Sequence, residues 1–218
     1  PSRLVGIHFF NPVPQMMLVE IISSEKSRKE FADKAAAFVR QIDKLPLPVK
    51  DSPGFLVNRV LGPYMQQAFR MLDEGVKPET IDRAMEDFGM PMGPVELADT
   101  VGLDICLAAG KALAKKGADS EQPEAPQILL NKVALGHLGR KSGQGIYRYE
   151  NGKAVKGQPD AYGKDMVDAL VDPYLAEAQA VVAEGVVAGA DLADAGLIFG
   201  TGFAPFRGGP LHYAAGKK

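Results

Sequence analysis

Two long apolar stripes with helical spacing, each carrying an interior proline, constrain this 218-residue chain more than any other feature. The first runs through Val57, Leu61, Tyr64, Met65, Ala68, Met71 and Leu72 and stops at Glu74-Gly75. The second runs through Val167, Leu170, Val171, Tyr174, Leu175, Ala178, Val181 and Val182 and stops at Glu184-Gly185. Aligned on the Glu-Gly pair, Pro63-Tyr64 falls on Pro173-Tyr174. A proline inside a helix costs roughly 3 kcal/mol, so its recurrence in register reads as a duplicated helical unit. One residue of slippage then places Phe88-Gly89 on Phe199-Gly200, and "GMPMGP" on "GTGFAP".

The helical part begins near Asp51. Ser52-Pro53 supplies a capping hydroxyl and a proline for the first helical position. A second helix is expected over Pro78 to Phe88, stopped by Gly89. Further helices are expected over Glu96 to Lys116, broken near Gly102, and over Pro126 to Leu138. "GRKSGQGIYRY" then ends in something extended. The first fifty residues have a different period and read β–turn–β–α–β. "RLVGIHFF" and "MMLVEII" are β-rich apolar runs. Ser27 and Glu30 have capping-box spacing ahead of a helix, whose apolar stripe is Phe31, Ala35, Phe38, Val39 and Ile42. "LPLPVK" follows as a short extended segment.

Composition excludes several functions. A net charge of −2 and a pI near 6.0 give no basic footprint for nucleic acid or an anionic membrane. No apolar run reaches the length of a membrane span, and the N-terminus has no secretory signal pattern. The single cysteine, Cys106, cannot form an intrachain disulfide and lacks ligand companions at metal-binding spacing.

Chemistry concentrates in "GIHFFNPVPQMMLVEII". A hairpin centred on Pro14 puts His8 opposite Glu20, with Cβ atoms about 4.5–5.5 Å apart on one face. A carboxylate there can hold one imidazole nitrogen and leave the other to move a proton. Spacing alone leaves a second reading open, a half-buried histidine that has simply found a partner. His137 and His212 have no placed partners. Arg207 suits a loop-fixing hydrogen bond better than a phosphate. The glycines of "KSGQGIY" lack the strand-before and helix-after context of a phosphate loop.

The surrounding letters go further. "HFFNPVPQMMLVE" and "KDSPGFLVNR" resemble the 3-hydroxyacyl-CoA dehydrogenase signature. The resemblance continues through "PMGPVELADTVGLD", "GRKSGQGIYRY" and "GTGFAPFRGGPLHY", and so covers nearly the whole chain. It implies a mainly α fold: a duplicated helical C-terminal domain preceded by a β-hairpin/β-α-β remnant of a Rossmann domain. The expected divisions are 1–50 for that remnant, 51–157 for the first helical copy and 158–218 for the second, shorter one. The family oxidises the C3 hydroxyl of a 3-hydroxyacyl-CoA with NAD. By resemblance His8 is the catalytic histidine, Glu20 its acidic partner, Asn58 the asparagine at the reacting oxygen, and Asn11 a residue lining the substrate site. In the second copy Asp168 replaces Asn58, no histidine-bearing strand pair precedes it, and a packing role is expected.

The glycine fingerprint of a dinucleotide site is missing, so no cofactor-binding residue is assigned. The resemblance therefore implies a C-terminal fragment of a longer cytoplasmic enzyme, in which Rossmann and enoyl-CoA hydratase domains come first. It also implies pairing into a homodimer through the helical region, and inactivity of the fragment on its own. The competing reading is a non-catalytic helical interaction module in which the His–Glu pair is a relic.

Overall fold

The chain, described over residues 1–114 and 125–217 by a computed structural model, opens on β1 (Gly6–Phe9) and β2 (Leu18–Ser23). They pair antiparallel with His8 directly opposite Glu20, as the period-2 pattern requires. Helix α1 (Lys29–Gln41) carries the chain back, so that β3 (Leu45–Lys50) lies parallel to β2 in the order β1-β2-β3. Val19 and Ile21 pack with Val39 of α1 on one face of this sheet. Leu18, Glu20 and Ile22 project to the other face beside Leu47 and Val49, and all five are buried. Prolines 46 and 48 are tolerated because β3 is an edge strand. The Asp51 amide faces β2, bonding to the Ser23 carbonyl, and the Lys50 amide faces away, bonding to Val186. Both prolines share the parity of Lys50, so their missing N–H groups fall on the outer edge.

The helical part contains α2 (Val57–Asp73), α3 (Pro78–Phe88), α4 (Pro94–Val101), α5 (Leu103–Ala114) and α6 (Gln127–Ala134). A hairpin of β4 (Arg148–Glu150) and β5 (Lys153–Val155) follows, then α7 (Lys164–Ala183), α8 (Ala190–Thr201) and α9 (Pro210–Gly216). Contacts gather the chain into two units. One holds residues 1–61 and the chain from Leu175 onward, the other Gly62–Tyr174. In the first, α8 lies on the sheet face that carries Glu20. A Cβ on its Gly196 would stand 2.6 Å from Leu47, and one on Gly200 2.6 Å from Val57, so only glycine allows this approach. In the second, Tyr64 of α2 and Tyr174 of α7, the residues that follow the two in-register prolines, meet edge to face at 5.9 Å.

Helix starts depart from the local sequence signals. Ser27 is no capping residue: α1 starts at Lys29, and the Ser27 hydroxyl instead donates to the Leu4 carbonyl at 2.7 Å. Glu30 pairs with Arg28. Phe38 and Ile42, counted in the apolar stripe, are exposed. Ser52-Pro53 does not open α2, because Gly54 and Phe55 take positive φ and delay the first helical residue to Val57. Helix α6 stops at Ala134, four residues early, and the Lys116 end expected for α5 lies outside the described residues. The bounds of α3 are as expected, with Gly89 left-handed at its C-terminus.

The duplication is structural but its register differs from the alignment. Asp82, fifth in α3, accepts the Val95 and Glu96 amides at the start of α4. Asp194, fifth in α8, accepts the Leu211 and His212 amides at the start of α9. Gly93-Pro94 therefore corresponds to Gly209-Pro210, not to Ala204-Pro205. The short 3-10 turn Pro205–Arg207 is inserted in the second copy.

Candidate active site

Glu20 has no solvent exposure at all, in the middle strand of the sheet. A carboxylate so placed must have every oxygen engaged. Its Oε2 lies 2.7 Å from His8 Nδ1. Its Oε1 accepts the backbone N–H groups of Leu56 at 3.0 Å and Val57 at 3.1 Å. Those amides open α2, so Glu20 is the cap that the helix lacks locally, and the positive end of the helix dipole faces the carboxylate. One side chain thus joins the imidazole to the first turn of α2.

The His8 ring is about one-third exposed (30%). Phe10 meets it edge-on at 4.6 Å and Phe55 lies tilted at 5.5 Å. With Nδ1 committed to Glu20, Nε2 has no protein hydrogen-bond partner among the described residues. The arrangement can hold Nδ1 as the donor and keep Nε2 as a proton acceptor on the open side of the ring.

The other two sequence-derived residues stand on the same supports. Asn58 is exposed on the first turn of α2, directly after the two amides that cap on Glu20. Asn11 is exposed at the base of the β1–β2 turn, next to a cis bond to Pro12. Lys44 holds this turn by donating to the Val13 and Met16 carbonyls at 2.6 and 2.8 Å. The structure therefore joins His8, Glu20 and the turn bearing Asn58 by hydrogen bonds, and it links Asn11 to them through the chain alone. Sequence reasoning missed the Leu56 and Val57 amides and the Phe55 wall. One signal was available: a buried carboxylate has more acceptor capacity than one imidazole can fill.

His137, His212 and Arg207 do not join this group. The His212 amide belongs to the Asp194 clamp, and the Arg207 guanidinium lies over the rings of Phe206 and Tyr213 at 5.1 Å each. A second cluster of buried charge surrounds Asp82 in the other unit. Burial pushes its carboxyl up to about 6, opposed by hydrogen bonds from Tyr147, Val95 and Glu96 and by Lys156 at 3.6 Å. Perturbed groups often mark chemistry. Here the Asp82 oxygens are taken up by Val95, Glu96 and the Tyr147 hydroxyl, which makes the cluster a scaffold. Among the described residues no group of His, Cys, Asp and Glu could hold a metal ion, and no helix is long and apolar enough to cross a membrane.

Comparison with known families matches residues 1–52 to the NAD binding domain of 3-hydroxyacyl-CoA dehydrogenases and residues 54–149 to their C-terminal domain. The chain belongs to the 3-hydroxyacyl-CoA dehydrogenase family. Over 98% of its length it is 38% identical to the fatty acid oxidation complex subunit alpha of Pseudomonas savastanoi pv. phaseolicola, of which it spans 32%. Among solved structures it resembles a 3-hydroxybutyryl-CoA dehydrogenase from Escherichia coli, with a TM-score of 0.83 and 25% identity. That match covers all of this chain and 64% of the other. A (S)-3-hydroxybutyryl-CoA dehydrogenase from Ralstonia eutropha matches at 42% identity over 69% of this chain and 53% of the other, with a TM-score of 0.64. The mainly helical fold with a few N-terminal strands is that of the dehydrogenase family. The family is NAD-dependent. The residues present do not fit the pyrophosphate of that cofactor, however. Of the two strand-to-helix turns of the sheet, Ser24–Arg28 contains no glycine and Asp51–Leu56 contains one, Gly54, whereas the dinucleotide turn needs a set of glycines for close backbone approach.

Proposed function

We propose that this chain is the part of an L-3-hydroxyacyl-CoA dehydrogenase that supplies the acid–base pair, His8 and Glu20. The observation that carries the reading is the 2.7 Å contact between His8 Nδ1 and a fully buried Glu20 whose other oxygen caps α2. Glu20 fixes the Nδ1–H tautomer, so the lone pair sits on Nε2. Nε2 takes the proton of the substrate's C3 hydroxyl as that carbon is oxidised to a ketone. The imidazolium that forms is stabilised by the Glu20 carboxylate, a stronger effect where water is excluded. Asn58 polarises the reacting oxygen, and Asn11 lines the acyl-CoA site. NAD is the hydride acceptor of the family, and no step through it rests on these residues.

The same reading makes the chain one portion of a longer multifunctional protein, since it spans about a third of its curated relatives. In that protein a Rossmann domain carrying the dinucleotide turn and an enoyl-CoA hydratase domain precede it. Residues 1–50 then complete the Rossmann domain, 51–157 form the catalytic helical copy and 158–218 the second copy, with pairing of subunits through the helical region. A cytoplasmic setting suits the free, half-buried Cys106.

The test is NADH-dependent reduction of acetoacetyl-CoA. We expect turnover by the longer enzyme, none by the 218-residue chain alone, and a loss of about 10²–10⁴-fold for His8→Ala in the longer enzyme. Activity unchanged by His8→Ala would instead leave the chain an interaction module with a relic pair.

A further inference from the structure

We infer that Arg59 is a positioning residue for His8, acting through the 52–57 turn, and that the helix of the second copy supplies its anchor. The inference rests on the reading of His8 and Glu20 as the acid–base pair.

Apart from its own strand pair and the neighbouring Phe10, the contacts that hold the His8 ring and its carboxylate come from this one turn. Phe55 lies against the imidazole ring, and the Leu56 and Val57 amides grip Glu20. The turn closes on a bond from the Phe55 amide to the Ser52 carbonyl at 2.9 Å but carries strain, since Gly54 and Phe55 both have positive φ, at 75° and 51°. Left-handed backbone at a bulky residue is unfavourable and persists only where the surroundings impose it.

Arg59 ties this turn to the rest of the fold. From the first turn of α2, its NH1 donates back to the Ser52 hydroxyl at 3.3 Å, bridging the two ends of the turn. The rest of the guanidinium reaches α7 and its C-terminal end. Nε donates to Glu177 at 2.5 Å, and NH1 and NH2 donate to the two oxygens of Glu184 at 2.6 and 2.7 Å. The Arg59 side chain is only 17% exposed, so its bonds to Ser52 and Glu177 are partly shielded from water, whereas Glu184, 55% exposed, meets it at the surface. A two-pronged contact of this kind fixes direction as well as distance, and a lysine ammonium cannot make it.

The repeat provides a control. Aligned on the paired prolines, the second-copy counterparts of Asn58 and Arg59 are Asp168 and Ala169, and the first-copy counterparts of Glu177 and Glu184 are Gln67 and Glu74. The arginine is present only in the copy that carries the histidine. A clamp needed merely to hold paired helices together would be expected in both.

Two measurements decide the matter. The first uses the 218-residue chain and needs no activity: amide hydrogen exchange in Arg59→Lys and in Glu184→Gln. The Leu56 and Val57 amides should exchange about tenfold faster or more, while the Val95 and Glu96 amides, capped by Asp82, stay at their wild-type rates. Acceleration of both pairs together, or of neither, would overturn the inference. The second uses the longer enzyme with acetoacetyl-CoA. Glu184→Gln, a near-isosteric change at a residue 55% exposed, and Arg59→Lys should lower kcat by up to about 10²-fold with little change in KM, as misplacement of a reacting group does. An unchanged kcat, or a loss confined to KM, would equally overturn it. If the wild-type enzyme itself shows no turnover, the functional reading fails and the exchange experiment still judges Arg59.

Discussion

Burial pushes the Asp82 carboxyl up to about 6, against a usual carboxylate value near 4. A native state that binds its proton more tightly than the unfolded chain gains stability at low pH. That gain is complete below about pH 4 and is lost as pH rises through about 6. The stability difference between wild type and Asp82→Asn should therefore shrink by up to about 3 kcal/mol between pH 4 and pH 7. Urea unfolding at the two pH values measures this, and a constant difference would contradict it. Cys106 shows the complementary case. Burial pushes its thiol up to about 12, so at pH 7.5 it is protonated. The native chain should react with iodoacetamide at least about tenfold more slowly than the urea-unfolded chain, whose cysteine has a pKa near 8.5. Neither residue is a reagent, and the contrast with His8 is one of access: a proton acceptor needs an atom that no neighbour already uses.

At the scale of elements, one device recurs. Glu20, Asp73, Asp82 and Asp194 each accept two successive amides at the start of α2, α6, α4 and α9 respectively. Asp99 does the same for Ile146 and Tyr147. At α4 and α9 the clamp closes because the residue before the proline is glycine. A Cβ on Gly93 would stand 2.2 Å from Asp82, and one on Gly209 2.4 Å from Asp194. Gly93→Ala should cost about 1–3 kcal/mol or more by unseating the clamp, read as a lowered urea midpoint. A neutral result would mean that Asp82 can swing aside at no cost.

The same device explains what the sequence could and could not reveal. The hairpin register was legible because alternation fixes which residues face each other, and α3 was legible because proline and glycine mark its own ends. The starts of α1 and α2 were not. Ser27 and Ser52 have the right chemistry nearby, but the donor groups of α2 are satisfied by an acid 36 residues away. The register of the second copy went astray for a related reason. Its defining contact, Asp194 to the start of α9, spans an inserted turn that no local pattern announces. The pair His8–Glu20 was readable as a juxtaposition, while its anchoring by Arg59 depends on α7 and only appears in three dimensions.

For the molecule as a whole, the lack of a glycine-rich strand-to-helix turn, with no glycine in Ser24–Arg28 and only Gly54 in Asp51–Leu56, has a direct consequence. Titration of the 218-residue chain with NADH should give no saturable fluorescence change at micromolar concentration, and saturation there would reveal a cofactor site of another kind. The sheet has a consequence of its own. Prolines 46 and 48 remove the donors from its outer edge at β3, whereas β1 pairs only with β2 among the described residues. This sheet can grow in one direction only. Any strand that joins it, from a longer chain or from another molecule, has to land beside β1. The strand bearing His8 is thus also the growing face of the sheet, and the same seam is where an isolated chain would first stick to its neighbours.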